Sequence, residues 1–163
     1  MVTLPRTPSQ TVGPYYTIGL CRRPENALVD RHQTGAVELR GQLLDGEGAP
    51  ICDGLVELWD PGGRRWGRSG TDGDGRFVFV VAKPEALPGE APRLDVWVHA
   101  RGLLRNQLTR IYFLDEGASN STDPVLSGLE EAARGTLVAQ PEAGGLRFDI
   151  RMQGDRATVF FVH

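Results

Sequence analysis

The sequence predicts an all-β protein, an antiparallel β-sandwich with a long irregular N-terminal arm and one short helix. Three observations carry that prediction. Short runs alternate apolar and polar residues, most cleanly in "RLDVWVHAR", where Leu94, Val96 and Val98 share one face and Asp95, Trp97 and His99 the other. The 21 glycines and 11 prolines lie between such runs rather than in one block, so they punctuate strands with turns. A chain of 163 residues with 40% hydrophobic content suits a single domain with a proper core.

Residues 1–34 form the arm and residues 35–163 the sandwich. "AVELRGQLLD" is the first clear strand and ends in the turn "DGEGAP". "GLVELWD" follows, and "GTDGDG" turns the chain into "RFVFVV". "RLDVWVHAR" and "RIYFLD" are the next strands. "DPVLSGLEEAAR" reads as the helix, with Asp123 as N-cap, Pro124 at the first helical position and Gly135 just past the end. "TLVAQ", "LRFDIRMQ" and "ATVFFV" close the chain as strands, which completes the spacing of a sandwich.

The arm contains "TPSQTVGPYY", with two adjacent tyrosines behind Gly13-Pro14. A frayed tail is usually poorer in aromatics, so this segment lies against something. Two partners fit: the chain's own sandwich, or a site on another chain.

The net charge of −3 is mild, lysine occurs only at Lys83, and no basic cluster stands out, so there is no electrostatic case for nucleic acid. "MVTLPRTPSQ" lacks the apolar stretch of a signal peptide, and the run from Phe77 to Ala82 is far short of the ~20 residues that span a bilayer. Cys21 and Cys52 form no CxxC pair and read as reduced thiols of a cytoplasmic protein. Asp72 and Asp74 have the spacing of a calcium loop, but Phe77 to Val80 occupy the place of its later ligands, so "TDGDG" is a tight hairpin turn, as is "DGEG". His32, His99 and His163 are far apart and belong to no HxH or HExxH pattern. No nucleophile motif, Walker motif or dinucleotide fingerprint is present, and on chemistry alone the chain shows no complete active site.

"TPSQTVGPYYTIGL", "GQLLDGEGAPICDGLVELWD", "HARGL", "TRIYFLDE" and "LRFDIRMQGDRATVFFV" together resemble, in order and over nearly the whole chain, the alpha-type subunits of the intradiol ring-cleaving dioxygenases. The segment after Trp59 is shorter than in typical members. The resemblance implies a hetero-oligomer in which a beta-type subunit holds iron(III) through two tyrosines and two histidines. It also implies cleavage of protocatechuate, a small anionic catechol, to 3-carboxy-cis,cis-muconate, and an isolated chain that is inactive.

All four ligands are missing here. "GGRRW" puts Arg65 or Trp66 at the first tyrosine position, "KPEALPGEAP" has no tyrosine, and alignment through Pro92 and "ARGL" puts Leu94 and Val96 in the histidine slots, so this chain's metal ligands are none. By the same match Thr11, Gly13, Pro14 and Tyr15 form part of the wall of the partner's cleft, and Arg110 stands near its substrate as the catalytic and substrate-binding residue. Glycine permits close approach, tyrosine gives an apolar face with a polar tip, and arginine suits an anionic substrate. On residues alone, Tyr15 and Tyr16 equally pack on the sandwich, and Arg110 equally serves a surface ion pair; Tyr112, two residues on, reads as packing. Two other classes suit a β-sandwich of this size: a binding module with an exposed aromatic platform, and a structural subunit whose arm reaches no cleft.

Overall fold

Alternation along the strands sorts the chain into two layers. The computed structural model describes residues 6–21 and 25–162. Its strands are β1 (Ala36–Leu44), β2 (Leu55–Asp60), β3 (Arg65–Gly70), β4 (Arg76–Ala82), β5 (Arg93–His99), β6 (Gln107–Phe113), β7 (Val138–Glu142), β8 (Gly145–Arg147) and β9 (Ile150–Arg151). Three short helices accompany them: α1 (Tyr15–Leu20), α2 (Gly117–Thr122) and α3 (Glu131–Gly135).

The strands follow the order β3-β2-β5-β6-β7-β8-β1-β4, with β9 paired to β1. Leu94, Val96 and Val98 of β5 and Ile111 and Phe113 of β6 pack against Leu39 and Leu43 of β1 and Phe77, Phe79 and Val81 of β4. This is the core of the sandwich. On the opposite face of β6, Tyr112 joins Ala91, Leu126 and Leu137 in a second buried cluster.

The sandwich is not purely antiparallel, as the alternation alone suggests. β6 and β7 pair in parallel, as do β1 with β8 and β1 with β9. Parallel neighbours need a long crossover. The segment between Phe113 and Val138 supplies it, carrying α2 and α3 over the second cluster.

That crossover also divides the helix expected after Asp123. Asp123 does cap the turn, accepting from the N–H groups of Val125 and Leu126 at 2.9 and 3.1 Å. A 3-10 turn then spans Leu126–Gly128, and Leu129 and Glu130 are extended before α3 begins. Gly128 disfavours a continuous helix by about 1 kcal/mol. The break lets both Leu126 and Leu137 reach full burial, while the Arg134 guanidinium donates to the carbonyls of Leu126 and Leu129 at 2.9 and 3.0 Å. Helices α1 and α2 are not predicted by pattern at all.

Two further expectations change. "ATVFFV" forms no full strand: only Phe161 bridges Leu108. Its Phe160 packs on the main core and Phe161 on the second cluster, so this segment is not an uncovered face. "TDGDG" is a tight turn closed by the side chain of Asp72, which accepts from the N–H groups of Asp74 and Arg76. It joins β3 and β4, which are not paired with each other but lie on separate layers. Among the described residues no helix is long and apolar enough to cross a membrane, and Cys21 and Cys52 are both free thiols.

Within its own sheet, β1 meets its neighbours closely at Gly41. A Cβ there would lie 2.0 Å from the Phe148 carbonyl oxygen and 2.3 Å from the Phe77 ring. Gly41→Ala must therefore push apart a backbone and a core aromatic. A loss of about 1–3 kcal/mol is expected, measured as a lower urea midpoint with unchanged slope.

Candidate functional site

The arm is seated by its own polar groups before any aromatic contact is counted. Gly13 has φ +68°, the left-handed region that glycine enters without steric cost. The Thr11 hydroxyl oxygen accepts from the N–H groups of Gly13 at 3.2 Å and Gly102 at 3.1 Å, which ties the arm to the "HARGL" loop. Pro14 then leads into α1, where the Thr17 hydroxyl donates to the Pro14 carbonyl at 3.1 Å.

The two adjacent tyrosines part company on α1. The Tyr16 ring packs on His99 of β5, with ring centroids 5.0 Å apart and planes tilted by 44°. The Tyr15 ring lies over Gly19, where a Cβ would come within 2.4 Å, and stays 55% exposed. Val12 of the arm and Leu104, two residues past Gly102, are also exposed.

Beneath the arm, Glu57 of β2, Arg68 of β3 and His99 of β5 come together. Arg68 donates from Nε and Nη2 to Glu57 Oε1 at 2.9 and 2.6 Å, and from Nη1 to the Leu20 carbonyl at 3.4 Å. His99 Nε2 faces Glu57 Oε2 at 3.5 Å. The hydrogen bond from His99, together with Arg68, holds the Glu57 carboxyl below its ordinary value against the opposing effect of burial. The Arg68 guanidinium also lies 4.8 Å over the exposed ring of Trp66.

Arg110 stands elsewhere on the same outer face. It is paired across the ladder with Asp95, with Nε 3.4 Å from Oδ1, and its Nη1 donates to the Tyr112 hydroxyl at 3.3 Å. Its guanidinium lies 5.3 Å over the Phe161 ring. Burial works against its charge, but Tyr112 and Asp95 outweigh that and raise its pKa above the ordinary value. Tyr112 is fully buried and donates to Asp123 Oδ1 at 3.2 Å. Burial first of all pushes its phenol up to about 12, so it stays a neutral donor. Asp95 in turn receives Arg93 Nε at 3.1 Å, and Arg93 also binds Glu90.

These positions are not all in one place. His99 and Asp95 share a face of β5 four residues apart, roughly 13 Å along a strand. The arm residues Thr11, Gly13, Pro14 and Tyr15 gather at the His99 end and Arg110 stands at the Asp95 end, with Trp97 between them, paired with Glu57 of β2 and Leu108 of β6.

The slots from which the resemblance lacks ligands do not suit iron. Leu94 and Val96 are fully buried in the sandwich core. Arg65 is committed to the buried carboxylate of Asp60, at 2.7 Å from Nε. Trp66 offers only an indole beside Arg68. Among the described residues no three of His, Cys, Asp or Glu gather as a metal-holding group; His163 lies outside those residues.

The two-layered β-sandwich behind this arm has the fold of the intradiol dioxygenases. The dioxygenase domain of a dioxygenase–carbohydrate-binding fusion from Streptomyces sp. SirexAA-E superposes with a TM-score of 0.64 at 23% identity, over 91% of this chain and 98% of that one. No protein-family model matches. The protocatechuate 3,4-dioxygenase alpha chain of Burkholderia cepacia is 39% identical over 99% of both chains, and that of Pseudomonas putida 36% identical over 97% of this chain and 96% of its own. The beta chain from B. cepacia is 29% identical over 82% of this chain and 72% of its own. The chain belongs to the family of protocatechuate 3,4-dioxygenase alpha chains.

Arg110 and Tyr112 rest on Asp123, which is buried. Burial raises its pKa, but the N–H groups of Ala91, Leu126 and Val125 and the Tyr112 hydroxyl outweigh this and hold it below its ordinary value. A depressed carboxyl stabilises the fold above the unfolded-state value and loses that contribution as pH falls through the folded one. Asp123→Asn should cost about 1–3 kcal/mol at neutral pH. The gap between variant and parent should narrow below about pH 4, measured by urea titrations across pH.

Proposed function

We propose that this chain is the alpha-type subunit of an alpha–beta dioxygenase that cleaves protocatechuate between its two hydroxylated carbons. Both atoms of dioxygen enter the product, 3-carboxy-cis,cis-muconate. The observation that carries this reading is full-length similarity to alpha chains in a chain whose ligand slots hold Leu94, Val96 and an ion-paired Arg65. Iron(III) is then held by the beta-type partner through its two tyrosines and two histidines, and activation of the catecholate towards dioxygen is that subunit's chemistry.

This chain's residues bind and orient. Residues 1–34 act as an arm on the sandwich of residues 35–163, and Thr11, Gly13, Pro14 and Tyr15 form part of the wall of the partner's cleft. The support is physical: Thr11 fixes the arm at Gly102, and Tyr15 stands exposed. Arg110 supplies positive charge to the carboxylate of substrate or product. Its side chain is 22% exposed, while Asp95 and Tyr112 fix its direction.

Two measurements test this. Purified alone, the chain should be colourless and bind no stoichiometric iron(III); a coloured preparation with one iron per chain would sink the reading. In the complex with a beta-type chain, Arg110→Ala should lower kcat/KM for protocatechuate roughly ten- to a hundred-fold with iron content unchanged. Arg110→Lys should recover only part of this, because an ammonium cannot reproduce the planar fork. Unchanged kcat/KM in a fully iron-loaded Arg110→Ala complex makes Arg110 a structural ion pair and favours a subunit that serves assembly alone.

A further inference from the structure

The seat of the arm is built from residues that the cleft-wall reading does not use. Glu57, Arg68 and His99 come from three neighbouring strands, and a single carboxylate joins them: Glu57 gives Oε1 to Arg68 and Oε2 to His99. The joined group then grips α1 at both ends. His99 meets the Tyr16 ring at its start, and Arg68 Nη1 binds the carbonyl of Leu20, its last residue, which no helical N–H can satisfy. The Arg68 backbone N–H also donates to the Glu25 carbonyl at 2.8 Å, and its side chain lies 3.7 Å from the Glu25 carboxylate. Adjacent residues on a helix point about 100° apart, so fixing Tyr16 fixes the direction of Tyr15.

We infer that His99, held by Glu57 and Arg68, is a positioning residue for the arm: its ring is the platform that places Tyr16, and through α1 it sets where Gly13, Pro14 and Tyr15 stand. The seating of the arm follows from contacts within this chain. Its kinetic consequence rests on the cleft-wall reading. The ring carries the effect, so a phenyl group at position 99 should serve where a methyl group cannot.

The test uses the complex assembled with a beta-type chain. Hydrogen–deuterium exchange of the peptide covering α1 is measured beside steady-state kinetics and iron content for His99→Ala, His99→Phe and Tyr16→Leu. Lys83→Ala, whose ion-pair partners Asp115 and Glu116 lie outside the arm, is the control. Tyr16→Leu leaves the sandwich untouched, so it reports even where His99→Ala perturbs β5. His99→Ala and Tyr16→Leu should speed exchange in α1 by about threefold to tenfold, the worth of one aromatic contact. KM for protocatechuate should rise by more than kcat falls, and His99→Phe should retain most of the protection. Exchange in α1 that matches the Lys83→Ala control in both His99→Ala and Tyr16→Leu overturns the inference. Faster exchange with unchanged KM upholds the clasp and removes the arm from the cleft wall.

Discussion

The period of two along β5 is the constraint on which the rest of this structure depends. Leu94, Val96 and Val98 turn inward and are fully buried, which makes β5 the centre of the main core. Arg93, Asp95, Trp97 and His99 must then stand on the outer face. Two of the candidate features described above hang from those positions. Asp95 directs Arg110, His99 carries the arm, and Arg93 braces Asp95 from the far side. A slip of one residue would bury three charged or polar groups and lose both attachments together, so register and function are enforced by the same apolar contacts.

The strands that contain their own evidence were legible in the sequence. Alternation in "RLDVWVHAR" predicts both faces of β5 correctly, and Asp123 does start a helical turn. What stayed hidden depends on partners distant in the chain. "RWGRSG" has no apolar alternation and becomes β3 because β2 pairs with it along its length. The parallel joins at β7, β8 and β9 follow from where the crossover returns the chain, which no local pattern encodes.

The candidate site divides in the same way. Arg110 and the Thr11–Tyr15 stretch stood out through motif resemblance, and the two tyrosines could be singled out by composition alone. The grip of Glu57, Arg68 and His99 could not, since cross-strand pairing brings together residues that look unremarkable one at a time. Helix α1 was equally hidden. Six residues with two tyrosines and a glycine are too short and too weak to hold a helix alone; contacts with His99 and Arg68 supply what propensity lacks.

The place of β1 has a consequence for how the molecule comes into being. Its partners are β4 on one side and β8 and β9 on the other, and the latter pair Glu38 with Gly145 and Leu43 with Ile150. On the ribosome, β1 and β4 can meet early, but the second edge of β1 has no strand to accept until β8 and β9 have been made. During that interval the nascent chain presents an open sheet edge, a surface that invites pairing with the wrong neighbour. β8 and β9 therefore do more than complete a sheet. Their arrival ends the period in which this chain is most exposed to aggregation, and a truncation within β8 or β9 would prolong it indefinitely.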